Sequence, residues 1–568
     1  MHEILSGLIR KACETAVSQG HLPDLQELPP IVIESPRQAE HGDFACSLAL
    51  QLTKRTGIKP RALAEIIAAQ IDDQDGIVSK VEIAGPGFIN FFIAAPAWLQ
   101  VIPEILTQKD SYGLNRLGAK QPVMVEYVSA NPTGPLHVGH GRGAAFGDAL
   151  ARLLRACGFK VMTEYYLNDA GNQMSTLGRS VLYRARELMG SREPFPANHY
   201  QGGYINDLAK AYLDLPEIKK ALSPDRQMAC RQLTAWAVEL TGHHLLDLAV
   251  NLAAGEILAG IKKDLADFGV TVENYFSEKS LLENGAADEA LARLKAAGLL
   301  YEKDGALWFA SSRLGDDKDR VIRRGTGELT YFAGDIAYHL NKTARGFTRL
   351  IDIWGADHHG YVARLKAALA GLGQDENMLT VLLVQMVRLL RGQELVPMST
   401  RGGQFVTLAQ VVEEVGRDSA RFIFLSRRLD AGLDFDLDLA KQKSMENPVF
   451  YVQYAHTRVR ALLRKGREQG IDSVFNHDQL ILPEEIALAK AMRQYPQLLK
   501  EAALNLEPHR LTYFLRELAR MFHSYYNDKP IIQAGEGLGQ ARLALAEAAG
   551  QVLKNGLNLL GISAPESM

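Results

Sequence analysis

Cysteine is almost missing from this chain. Four occur in 568 residues (Cys13, Cys46, Cys157 and Cys230), with no C-x-x-C pair and no histidine spaced to complete a zinc site. That excludes a disulfide framework, predicts no protein-bound metal and points to a reducing compartment. Long apolar runs are missing too. No uninterrupted stretch nears eighteen residues, and the opening MHEILSGLIRKACETA reads as an amphipathic helix without a cleavage site. No membrane contact and a cytoplasmic location are therefore expected. Charge of one sign is lacking as well: 63 Lys and Arg stand against 66 Asp and Glu, a formal net charge of −3. Any nucleic-acid contact must then come from local basic patches rather than from a global field. Repeats and low-complexity segments are absent. What remains is an ordinary globular composition, 47% hydrophobic and 23% charged, in a chain too long for one core. Three or four domains are expected.

The most informative stretch is VEYVSANPTGPLHVGHGRGAAFGD, residues 125–148. A β-branched and aromatic run, Val123 to Val128, breaks at Asn131-Pro132 and Gly134-Pro135. A His-Val-Gly-His turn at 137–140 then leads into a helix of small residues. A strand feeding a helix N-terminus through such a turn presents outward N–H groups and the positive end of the helix dipole, which suits phosphate. Gly139 lets a flat base or a phosphate approach the backbone. His137 and His140, one turn apart, can donate to phosphate oxygens as charge builds there. Taken alone, the tetrapeptide fits a pair of satisfied turn histidines better; the strand–turn–helix setting reverses that in favour of the phosphate site.

The organisation around it is multidomain. Residues 1–112 read as α+β, with helical periods at 2–18 and 60–72 and alternation from Val81 to Phe92 around Gly85-Pro86-Gly87. The block Glu40 to Ala45 is expected to open a helix with Asp43 as its N-cap. Residues 113–440 read as a doubly wound, Rossmann-like parallel sheet. Its expected strands are Val123–Val128, Val161–Tyr166, Ala306–Phe309, Leu329–Phe332 and Leu350–Trp354, with a helical, polar insertion at about 178–300. Ligands belong at the carboxyl ends of such strands. Residues 441–568 read as an all-α helical bundle.

Two further clusters bear chemistry. Trp354-Gly355-Ala356-Asp357-His358-His359-Gly360 follows a strand, and an aspartate at a strand end can accept both ribose hydroxyls. The Asp-His-His group fits a metal too, with ligands that the sequence does not advertise. In the bundle, Tyr451, Tyr454 and Arg458 fall at i, i+3 and i+7, and Arg460, Arg464 and Lys465 follow. From spacing alone the tyrosines suit a base-stacking face and a core face equally.

The 125–148 stretch resembles the HIGH motif of class I aminoacyl-tRNA synthetases, and Glu126-Tyr127, Ser129 and Asn131-Pro132 narrow the resemblance to the arginyl-tRNA synthetases. EHGDFACSLALQLTK with GPGFINFF resembles the N-terminal domain peculiar to that family, which there touches the tRNA elbow. NPVFYVQYAHTRVRALLRK, FLRELARMFHSYYND and VLKNGLNLLGISAPESM resemble its anticodon-binding domain. The resemblance runs essentially from end to end.

The resemblance implies an arginine–tRNA ligase that forms arginyl-adenylate from L-arginine and ATP with Mg2+, then charges tRNA(Arg). The family requires tRNA for the first step. A monomer is expected. In the resemblance His137 and His140 are catalytic at the phosphates, while Gly139, Gly355, Asp357 and His358 bind ATP. Glu126, Asn131, Tyr331 and Asp335 match the arginine-binding positions, and Tyr451, Tyr454 and Arg458 fall to tRNA. Pro397 to Gly403, PMSTRGG, looks like the mobile KMSKS loop, with Met398 and Ser399 toward ATP. Both lysines are replaced, by Pro397 and Thr400, so another cation must serve the phosphates: Arg401 first, with Arg391 and Arg142 behind it. Two other readings stay open: a small-molecule adenylyltransferase, and a catalytically impaired relative that only binds RNA, which the lysine-less loop favours.

Overall fold

The computed structural model describes residues 1–36, 38–238, 244–392, 394–396 and 406–568. Near the N-terminus, helices His2–Ser18, Leu48–Thr56 and Pro60–Ala69 pack on a four-stranded antiparallel sheet. The hairpin Val78–Ala84/Phe88–Ile93 turns at Gly85 to Gly87, as its alternation predicts. The block around Asp43 departs from the expectation. Phe44–Cys46 is a strand paired with Ile89–Phe91, and the next helix is preceded by Ser47. Phe44 and Cys46 are buried in the sheet core, which outweighs local helix preference. Asp43 caps no helix. Its carboxylate accepts from the Ile93 N–H (2.9 Å) and pairs with Lys490 in the C-terminal bundle.

The centre is a five-stranded parallel sheet. We label β1 (Pro122–Glu126), α1 (Val138–Ala156), β2 (Lys160–Leu167), β3 (Asn274–Ser277), α2 (Tyr331–Ala344), β4 (Arg349–Gly355) and β5 (Leu379–Val384). The strand order is β5-β4-β1-β2-β3, all parallel. From β1 the chain first builds outward through β2 and β3, then returns to lay β4 and β5 on the other side. The carboxyl ends of β1 and β4 therefore flank the crevice where such sheets bind ligands. β1 is buried on both faces, as an apolar, β-branched parallel strand should be. α1 lies very close to it: a Cβ on Gly147 would stand 2.3 Å from Cγ of Tyr127.

Three expectations about this sheet are corrected. Leu329–Phe332 is not a strand: Leu329 makes a single bridge to Arg323, Thr330 is extended, and α2 begins at Tyr331. Ala306–Phe309 belongs to a separate three-stranded antiparallel sheet with Leu300–Lys303 and Arg320–Arg323. β3 lies inside the region read as an insertion. Its sequence, NYFS, is short and only half-buried, so it carries neither the apolar run nor the clean alternation of a strand. Helices do predominate among the described residues from 172 to 267, and one of them, His244–Asp267, is long and apolar enough by composition to cross a bilayer. Here it lies along Asn172–Leu188 and buries Leu246, Ala249, Ala253, Ile257, Ile261 and Leu265.

The C-terminal bundle includes α4 (Pro448–Glu468), α5 (His509–Asp528) and α6 (Leu538–Leu559), joined to the sheet by α3 (Arg417–Phe424). One residue, Arg421 of α3, is wholly buried at this junction. Its guanidinium reaches Asp148 Oδ2 on α1 (2.5 Å), the Leu560 carbonyl at the end of α6 (2.8 Å) and the Phe268 carbonyl (3.3 Å).

Candidate active site

His137 is the N-cap of α1, and its ring is engaged with that helix end. The Gly139 N–H donates to His137 Nδ1 (3.1 Å), and the His137 N–H donates to His140 Nδ1 (3.2 Å). Both Nδ1 atoms are thus acceptors, so in each neutral ring the proton sits on Nε2. The rings stack at 3.7 Å between centroids. Burial pushes the His140 imidazole down to about 3 and lowers His137 as well. The pair is therefore two neutral Nε2–H donors above a helix N-terminus. Gly139 is required by this packing: a Cβ there would lie 2.9 Å from His137 Cε1.

Across the crevice, β4 ends at Gly355 and runs into the turn Ala356–Tyr361. Gly355, Asp357, His358 and His359 are all exposed. A Cβ on Gly355 would meet Asp357 Oδ1 at 2.5 Å, so glycine alone lets that carboxylate fold back over the strand end. Among the described residues no three metal-ligating side chains gather in a cluster. Met398, Ser399, Thr400 and Arg401 lie outside the described residues. The segment after them is tied to the histidines: the Val138 N–H donates to the Val406 carbonyl (3.3 Å) and the Leu408 N–H to that of Leu136 (2.8 Å).

Arg142 is removed from the candidates for compensating cation. It is 0% exposed and donates to the carbonyls of Gln385 (2.9 Å) and Arg428 (2.7 Å), a structural clamp with no surface open to the crevice. Arg391 is exposed and engaged with Glu414 at 2.8 Å.

The acid half lies around the start of α2. Tyr331 is 53% exposed, its hydroxyl toward Gly171. Asp335, one turn on, accepts from the Tyr361 hydroxyl, and desolvation raises its carboxyl to about 6. Asn131 donates to Gln173 Oε1 at 2.7 Å. Glu126 does not present an open fork. It is buried, with Oε2 on Lys342 Nζ (2.6 Å) and Oε1 accepting from the Ser129 hydroxyl (2.8 Å). The acid facing Asp335 is one that sequence reasoning missed: Glu278, just after β3. It is buried, and Oε2 has no hydrogen-bond partner among the described residues. Desolvation, then the charges of Asp335 and Asp169, raise it to about 7; the Tyr166 hydroxyl beside it offsets this slightly without the geometry of a hydrogen bond. Gly334 admits it, since a Cβ there would stand 3.3 Å from Glu278 Oε1. A half-buried carboxyl facing a buried one, with one oxygen unmatched, is a site for a cation with several N–H donors.

In the bundle, Tyr451, Tyr454 and Arg458 come together with two residues of α5 that the sequence had not indicated. The Arg458 guanidinium lies between the rings of Tyr454 (4.5 Å) and Tyr526 (4.7 Å), and Tyr451 packs on His523 at 4.7 Å. Arg460 and Arg464 instead hold Glu566, at 2.5 Å and 3.0 Å. Beside Tyr526 opens a cavity of about 400 Å³, lined in part by Leu462, Lys465, Lys529 and Ile532.

Three family models match in chain order: the arginyl tRNA synthetase N terminal domain over residues 3–93, the class I (R) catalytic domain over 101–429 and the DALR anticodon binding domain over 452–568. The chain belongs to the arginyl-tRNA synthetases. The arginine–tRNA ligase of Desulfosudis oleivorans is 52% identical over 574 residues, covering all of both chains. That of a Geobacter species (strain M21) is 49% identical over 572 residues, again covering both completely. The solved arginyl-tRNA synthetase of Thermus thermophilus shares the fold, with a TM-score of 0.74 at 23% identity over the full length of both chains.

Proposed function

We propose that the crevice between β1 and β4 carries out both half-reactions of an arginine–tRNA ligase, with the roles divided as follows. A carboxylate oxygen of L-arginine attacks the α-phosphorus of ATP, supplied as its Mg2+ complex, and pyrophosphate leaves. The 3′-terminal ribose hydroxyl of tRNA(Arg) then attacks the arginyl carbonyl, and AMP leaves. No covalent enzyme intermediate is needed, so the protein's work is positioning and charge stabilisation.

His137 and His140 donate their Nε2–H groups to the phosphates as charge develops. Gly139 and Gly355 give the adenosine access to backbone, Asp357 takes the ribose hydroxyls, and His358 stands at the rim. Met398, Ser399 and Arg401 serve the triphosphate. Asp335 and Glu278 receive the guanidinium, Tyr331 covers it, and Asn131 holds the amino-acid end. Tyr451, Tyr454 and Arg458, with Tyr526 and the cavity beside it, receive unstacked anticodon bases. The chain divides at about 112 and 440 into an elbow-binding domain, a catalytic domain and an anticodon-binding bundle, and works as a cytoplasmic monomer.

The observation that carries this is two neutral histidine donors on a helix N-terminus together with a largely desolvated, cation-seeking acid pair at the start of α2. Pyrophosphate exchange, run with each amino acid in the presence of tRNA, tests it. Exchange with arginine alone is the expected result; exchange with a different amino acid, or RNA binding without any exchange, would overturn it.

A further inference from the structure

Glu126, Asp352 and Glu164 stand at matching positions on the neighbouring strands β1, β4 and β2. All three are buried, and all three meet side chains of α2 or of Arg345 just after it. Arg345 and Tyr338 hold Glu164, at 2.6 Å each. His339 Nε2 lies 2.9 Å from Asp352 Oδ2. Lys342, itself 0% exposed, lies between the other two: 2.6 Å from Glu126 Oε2 and 2.8 Å from Asp352 Oδ1.

Such a buried cluster is a weak device for stability, because desolvation consumes most of what the pairing returns. An apolar residue at 342 would dock α2 at less cost. What an apolar residue cannot do is hold Glu126 by one oxygen while the other accepts from Ser129.

That second contact matters because the chain after β1 is strained. Val128 and Ser129 have φ of +69° and +41°, both in the left-handed region, and Val128 is β-branched. The Ser129 hydroxyl donates to Glu126 and accepts from the Tyr166 N–H (3.1 Å), while the Tyr165 hydroxyl holds the Ala130 carbonyl (2.8 Å). Asn131 comes next. The strained turn is thus one wall of the amino-acid half of the crevice, and the start of α2, with Tyr331 and Asp335, is the other.

We propose that Lys342 is a positioning residue that ties these two walls together. Anchored on α2 two turns beyond Asp335, it grips Glu126; Glu126 grips Ser129; and the turn that leads to Asn131 is held relative to the helix that carries Asp335. The width of the arginine pocket is set by this buried chain of contacts rather than by the residues that line it. The inference rests on the assignment of Asn131 and Asp335 to arginine.

The test is a double-substitution cycle, Lys342→Met and Ser129→Ala, read by pyrophosphate exchange with tRNA present. Each single change is expected to raise the arginine KM about tenfold and move the ATP KM less than twofold. Together they should raise the arginine KM little more than either alone, because both cut one relay. Effects that multiply toward a hundredfold would mean separate action and overturn the proposal, as would equal losses for arginine and ATP. If Lys342→Met is not recovered folded, Glu126→Gln runs the same cycle, keeping an acceptor for Ser129 but ending the grip of Lys342. An unsubstituted chain without arginine-dependent exchange would instead sink the assignment of the crevice itself.

Discussion

The two halves proposed for the crevice, one for the nucleotide and one for the amino acid, are built from different materials. The nucleotide half uses backbone and neutral groups: a helix N-terminus, Gly139, Gly355 and two imidazoles kept uncharged by burial, His140 down to about 3. The amino-acid half uses side-chain charge: Asp335 and Glu278 on its surface and Lys342, Glu126 and Asp352 beneath. Phosphate brings its own large charge to the site, and fixed dipoles suffice to receive it. A guanidinium must be told from other side chains, and that demands acids whose desolvation is unmatched until the right cation arrives.

This contrast can be broken from either side. Asp335→Asn should have the largest effect. Losing one member of a buried, charge-assisted contact costs roughly 3–5 kcal/mol, or on the order of a thousandfold in kcat/KM for arginine. The ATP KM should stay within a few-fold; a comparable loss for ATP would erase the distinction between the halves. Next, His137→Ala or His140→Ala should slow activation by about a hundredfold, the usual loss for one transition-state donor. Arginine binding measured by calorimetry should be unchanged in both, and its loss would move the histidines to the other half.

A smaller effect is expected from pH. The free carboxyls of Asp335 and Glu278 lie near 6 and near 7, above their ordinary range, so the empty pocket holds protons that the arginine complex does not. Binding must release protons, and the arginine KM should fall about tenfold from pH 5.5 to 7.5. The sign reverses for folding: these two groups favour the native state below their unfolded values, and that contribution is lost as pH rises through 6 to 7. Calorimetry in buffers of different ionisation heat measures the released protons; none would mean that neither acid meets the guanidinium. Last, Arg401→Ala should slow activation several-fold, and Thr400→Lys should be tolerated, since a compact cation there restores what the family's loop carries. An Arg401→Ala enzyme with full activity would shift the compensating role to another basic group.

The nucleotide half was the more legible in sequence, for a physical reason. Its parts are local: His137, Gly139 and His140 are close in the chain, and the apolar β-branched runs of β1 and β4 announce strands whose ends they mark. The amino-acid half is assembled from distant pieces. Glu278 hides behind a strand of four half-buried residues, which no periodicity reveals. Lys342 is read as one more polar residue on a helix, and nothing near it in sequence discloses that it meets Glu126, 216 positions away. LTYF at 329–332 looks like a strand because its residues favour one, yet the acids gathered around Gly334 need a helix there. In the bundle, Tyr451 and Tyr454 meet His523, and Arg458 meets Tyr526, partners that another helix supplies and that spacing within one helix cannot disclose.

Arg421 gives the molecule a mechanical property of its own. Its guanidinium bonds at once to the helix that the histidines head and to the last turn of the anticodon-binding bundle. With no exposed surface and its guanidinium bonded on both sides, it behaves as a pinned joint. A rotation of the bundle about the sheet must either carry Asp148, and with it the histidine helix, or break a buried charge contact. Of the two, moving together is the less costly, so the C-terminal bundle and the helix that His137 heads share one degree of freedom.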